Sequence, residues 1–177
     1  MRLSAIVCVL IGLLGCAATP TATPREYLDE QTAATIKVVA DPLIFVTDSP
    51  GGRDYLNVYA IDVNRMGEHR QYLAVFQWWP PAGQLSAATL ELQAAGDTIL
   101  LEATSASARE LGIAQQIDPS TPKDGRWHYF PANKGVFDTL ARSSDIRAML
   151  ISGEQRLAYA LWRDGRAELT NLAAEIP

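Results

Sequence analysis

The sequence predicts a mainly β fold of the α+β kind: antiparallel, sandwich-like sheets with two short helices in the C-terminal third. Three observations point there. Short β-branched and apolar runs recur between Gly/Pro punctuation up to residue 103. The segments 55–64 and 69–79 are apolar on both of their alternating faces, as expected of central strands covered on each side. Helical spacing of apolar residues enters only after residue 133.

Residues 32–39 and 43–47 read as strands, with Asp41-Pro42 as the kink between them. Ser49-Pro50-Gly51-Gly52 breaks the chain as a turn; it lacks the lysine and hydroxyl residue of a phosphate loop. Arg65-Met66-Gly67-Glu68 joins 55–64 to 69–79 as a hairpin. That hairpin puts Tyr55, Tyr59, Ile61, Val63, Tyr72, Phe76 and Trp78 on one face, and Leu56, Val58, Leu73, Val75 and Trp79 on the other. Residues 89–93 and 98–103 form a further hairpin around Ala94-Ala95-Gly96-Asp97. A long polar connection follows at 105–125, then a short strand at 127–130. Residues 134–142 read as a helix capped by Asn133. A hairpin over 146–151 and 156–162 turns at Ser152-Gly153-Glu154. Leu169, Leu172, Ala173 and Ile176 then fall at helical spacing, which favours a C-terminal helix.

The amino terminus has a separate logic. Met1-Arg2 opens an apolar run from Leu3 to Leu14 that falls short of the ~20 residues needed to span a bilayer, so residues 1–15 read as a processed signal peptide. Leu13-Leu14-Gly15-Cys16 resembles the lipobox of bacterial lipoproteins. The resemblance implies cleavage between Gly15 and Cys16 and acylation of the Cys16 sulfur. Two or three acyl chains suffice for stable anchoring, since each buried CH2 contributes about 0.8 kcal/mol. Residues 16–26 then read as an acylated cysteine with a Thr/Pro tether, and 27–177 as one β-rich globular domain. Ala17, where an aspartate would signal retention, implies by the same resemblance an outer-membrane position facing the periplasm.

Composition narrows function further. The two cysteines are Cys8 and Cys16, so the domain has neither disulfide nor thiolate chemistry. Cleavage removes Arg2 and leaves 14 basic against 20 acidic residues, a balance without a footprint for nucleic acid. No serine nucleophile motif occurs. His69 and His128 stand far apart in sequence with no second histidine at helical spacing, so neither a metal site nor a cofactor is implied. Asp54, Asp62, Glu68, Glu91, Glu102 and Asp124 could pair in space for glycosidic chemistry, but acids are too common to form a signal. Arg65 and Arg70 could clamp an anion or simply pair with Glu68.

Aromatic residues form the most informative set. Trp78 and Trp79 point to opposite faces of one strand, while Trp127 and Tyr129 crowd a second segment beside Phe130. Such groups either fill a core or make platforms for sugar rings and protein partners. Arg25-Glu26-Tyr27-Leu28-Asp29 with Thr32-Ala33-Ala34-Thr35, the strand from Asp54-Tyr55-Leu56 to Asn64-Arg65, and Tyr72-Leu73-Ala74-Val75 with Trp78 together resemble uncharacterised envelope lipoproteins of proteobacteria, a group that lends no activity. The expectation is a non-catalytic interaction or assembly component of the cell envelope, whose partners are the membrane through its anchor and an envelope protein or glycan. A glycan or small-ligand module using exposed aromatics, and a carboxylate hydrolase, are the alternatives. An exposed aromatic strip beside a groove favours the first of these; close acids with a raised pKa favour the second.

Overall fold

The computed structural model describes residues 23–78 and 89–177. Its strands are β1 (Arg25–Asp29), β2 (Ala34–Val38), β3 (Leu43–Ser49), β4 (Gly52–Arg65), β5 (Glu68–Gln77), β6 (Thr89–Ala94), β7 (Asp97–Glu102), β8 (Arg126–Ala132), β9 (Ile146–Ser152) and β10 (Gln155–Arg163). Helix α1 (Lys134–Arg142) follows β8, and α2 (Arg166–Glu175) ends the chain. The protein is thus mainly β and antiparallel, with two helices near the C-terminus.

Turn chemistry sets the hairpins. The two-residue loops Met66-Gly67 and Ala95-Gly96 both take left-handed conformations, with φ of 54° and 87° in each case. This is the type I′ geometry whose twist matches the flanking strands, and glycine fills its second position. Asn64 Oδ1 braces the first loop by accepting from Gly67 N at 2.9 Å. Helix α1 starts where expected, with Asn133 Oδ1 accepting from Val136 N at 3.1 Å. Lys134 Nζ reaches across to the carbonyls of Ala173 and Ile176, placing a cation at the negative end of α2.

All ten strands belong to one sheet, and β4 organises it. One edge of this 14-residue strand pairs with β5. The other edge is shared: β3 takes residues 52–58, and β2 takes residues 61–64. From β3 the sheet continues through β10, β9, β6 and β7; from β2 it reaches β1; and β8 flanks β5. Gln77 Nε2 donates to Tyr159 OH at 3.4 Å although β4 and β3 lie between their strands. In a flat sheet three strand spacings are on the order of 14 Å, so the sheet is tightly curled, with Leu56, Phe45 and Tyr159 on its inner face. Thr104 N donates to Tyr129 O at 2.8 Å, bringing the chain just past β7 back to β8. The layering expected of a sandwich therefore arises within one bent sheet.

Both faces of β4 and β5 are buried, as their apolar alternation requires. On the inner side Val58, Ala60 and Leu73 meet Leu140 of α1 and Leu169 of α2. On the outer side Tyr59, Ile61, Val63 and Phe76 lie beneath the connection from β7 to β8, whose Leu111, Ile113 and Ile117 are buried. A side chain at Gly125 would put its Cβ 2.0 Å from Phe76 Cζ, which shows how closely this connection lies on the sheet. Asp29 pins it: Oδ1 accepts from Gln31 N and Thr32 N, and Oδ2 from Ala114 N at 2.6 Å and Gln115 N at 2.7 Å. Burial raises the Asp29 pKa, but these four backbone donors outweigh it and hold the carboxyl below its ordinary value.

Two sequence expectations need correction. Arg25 and Glu26, assigned to the tether, already pair with Val38 and Lys37 in β1. The 105–125 connection, read as merely polar, is a covering layer with three buried aliphatic anchors.

Candidate functional site

The outer face of the sheet carries a groove of about 480 Å³ where β1, β3, β4, β10 and the β7–β8 connection converge. Strand alternation places Asn57 and Tyr59 of β4 on this face, and register puts Ile44 of β3 beside Asn57 and Arg163 of β10 beside Ile44. Trp78, just after β5, forms one wall; Arg25 of β1 and Asp118 of the connection form another.

A chain of hydrogen bonds orders the groove. Trp78 Nε1 donates to Asn57 Oδ1 at 3.2 Å, and Asn57 Nδ2 donates to Tyr59 OH at 3.4 Å. Tyr59 OH donates to Asp118 Oδ2 at 2.5 Å, while Ser120 N and Oγ donate to Asp118 Oδ1 at 2.8 and 2.7 Å. Burial works to raise the Asp118 pKa, but the Tyr59 and Ser120 bonds and the Arg25 charge reverse it, so the carboxylate form is favoured. The Tyr59 hydroxyl is pushed up, first by burial and then by Asp118. Arg163 Nη2 lies 3.0 Å from Asp41 Oδ1. Glu168 Oε2 accepts from Ala40 N and Asp41 N, and Arg25 donates to the Ile117 carbonyl.

Beside the groove stands a residue that the sequence reading passed over. Trp162 sits at a bulge where the β10–β3 register shifts between Leu161 and Arg163, and it is 58 % exposed. The Arg53 guanidinium lies 5.3 Å from its ring centroid. Two residues along β4, half-buried Tyr55 meets Trp78 edge-on at 6.3 Å. The signal for Trp162 was available: Leu157, Tyr159 and Leu161 already claim one face of β10, which leaves the indole outside.

The predicted aromatic set divides. Trp78 is half-buried and lines the groove. Trp127 is half-buried against Tyr59 and Phe76, at 5.5 and 5.0 Å, and stacks on Tyr129. Tyr129 is buried and its hydroxyl pKa is raised by burial, so the structure makes its ring packing rather than platform. Trp79, Gly15 and Cys16 lie outside the described residues.

The remaining candidates are dispersed. His69 Nδ1 lies 2.8 Å from buried Asp62, which also accepts from Gln71 Nε2 at 2.9 Å. His128 is buried on β8. Glu68 engages Arg70, and Glu102 engages Thr89 Oγ1 at 2.9 Å. Among the described residues no group of three His, Cys, Asp or Glu is placed to hold a metal ion. No described helix is long and apolar enough to cross a membrane. Set against family models, curated proteins and solved structures, the chain matches none.

Proposed function

We propose that this chain is a lipid-anchored component of the cell envelope whose domain binds, without chemistry, a partner presented outside the cytoplasm. The lipobox at Leu13-Leu14-Gly15-Cys16 supports the anchor. The observation that carries the binding half is the outer-face groove, where Trp78, Asn57, Tyr59 and Asp118 are locked in mutual hydrogen bonds beside an exposed tryptophan. Such a preorganised mixture of aromatic and polar groups is what a binding site needs to limit ordering costs. A hydrolase reading has less support, because the groove's carboxylates Asp41, Asp118 and Glu168 are each taken up within the protein, by Arg163, by Tyr59 and Ser120, and by the Ala40 and Asp41 amides.

Two measurements test this. In detergent phase partition the wild type is expected in the detergent phase and Cys16→Ser in the aqueous phase; equal partition removes the anchor. Photo-cross-linking in intact cells from position 163 is expected to trap an envelope component that the exposed turn position Glu154 does not. Identical products from both positions would refute the groove as a contact surface.

A further inference from the structure

We propose that the outer face running from Trp162 to Trp78 binds a neutral oligosaccharide, an assignment that rests on the domain being a binding module. Three features select that ligand class. The first is charge. Arg163 faces Asp41 at 3.0 Å, Glu168 is taken up by the Ala40 and Asp41 amides, Arg25 by the Ile117 carbonyl, and Asp118 by Tyr59 and Ser120. These groups are two cations, Arg25 and Arg163, against three carboxylates, Asp41, Asp118 and Glu168, so the groove offers no net positive charge to an ion such as phosphate.

The second is residual hydrogen-bonding capacity of both signs. A carboxylate offers about four acceptor positions, and the bonds to Asp118 from Tyr59 OH, Ser120 N and Ser120 Oγ take three. Arg163 has a five-donor fork of which Asp41 faces one end, and among the described residues Asn57 Nδ2 makes one long bond, of 3.4 Å, to Tyr59. Sugar hydroxyls are donor and acceptor at once, so neighbouring hydroxyls can bridge an acceptor and a donor set side by side. An extended peptide would instead seek a sheet edge, whereas these groups project from a sheet face.

The third is the aromatic spacing. Trp162 on β10 and Trp78 beyond β5 are separated by β3 and β4. Rings carried on strands three apart stand further from each other than one pyranose ring covers. The apolar C–H faces of successive sugars can then rest on Trp162 and on the Tyr55–Trp78 pair while their hydroxyls reach Asn57, Asp118 and Arg163.

The test uses the full chain, solubilised in detergent, with two probes: the β-1,4-linked N-acetylglucosamine tetramer and maltotetraose. Saturation-transfer NMR and tryptophan fluorescence titration are expected to show binding of at least one. Trp162→Ala and Arg163→Ala should each weaken it about tenfold with an unchanged melting temperature, since both side chains are largely exposed. Absence of transfer from both tetrasaccharides, or full affinity in both variants, overturns the saccharide assignment. Either result leaves the binding-module reading to its own cross-linking test, which asks for contact at position 163 whatever the partner's chemistry.

Discussion

His128 makes a sharp prediction about acid. Its side chain is 8 % exposed on the inner side of β8, and Nε2 has no hydrogen-bond partner among the described residues. Burial, aided by the nearby positive charge of Arg126, pushes the His128 pKa down to about 4 from the ordinary 6.5. The folded protein therefore refuses a proton that the unfolded chain accepts as soon as pH drops through 6.5. Stability from this residue is complete above that value and drains away toward pH 4. Linkage makes the loss between pH 7.5 and pH 5 about 2 kcal/mol. Asp29, Asp118 and Asp164 are lowered from 3.8 and Glu110 from 4.5, so their contributions disappear mainly below this window. Urea denaturation followed by tryptophan fluorescence at the two pH values should show the midpoint falling for the wild type. In His128→Phe, which keeps an apolar ring near Phe130, most of that fall should vanish. A variant that loses the same 2 kcal/mol or so, or a wild type with a flat profile, refutes the assignment.

The structural claims yield further outcomes. Asp29→Ala takes the side-chain acceptor from the Gln31, Ala114 and Gln115 N–H groups, while Thr32 N keeps its bond to the residue 29 carbonyl, and a loss on the order of 3 kcal/mol is expected in denaturant titration; a change near zero would mean that the connection is not held there. Gly125→Ala drives a methyl into the Phe76 ring and should cost about 1–3 kcal/mol, seen as a lower melting temperature. Met66→Asn, at a fully exposed turn position with φ of 54°, should raise the melting temperature by a few degrees, because asparagine tolerates this backbone better than methionine. An unchanged or lower value would show that the loop carries no such strain.

Much of the fold was legible because its determinants are local. The Gly67 and Gly96 turns, the Asn133 cap and the helical spacing of Leu169, Leu172 and Ala173 each act over a few residues. The two-sided apolarity of β4 and β5 announced their central place. What escaped depends on distant partners. Strand β1 is a polar pentapeptide that becomes a strand by pairing with β2. Leu111, Ile113 and Ile117 are too sparse to suggest a covering layer without the Tyr59 and Phe76 surface beneath them. The groove unites residues from Arg25 to Arg163, and the curl of the sheet that assembles it leaves no trace in local spacing.

The forked edge of β4 divides the protein mechanically. Four cross-strand residue pairs hold β2 to the far half of β4, and Asp29, at the end of β1, is the clasp for the outer layer. Local opening at that prong would lift β1, β2 and the overlying connection as one leaf and wet Tyr59, Ile61 and Val63, while the strands beyond β3 stay zipped. Amide protons in the leaf should accordingly trade with deuterium sooner than those of β9 and β10. Under the proposed anchor at Cys16, a pull from the membrane side would reach the leaf first.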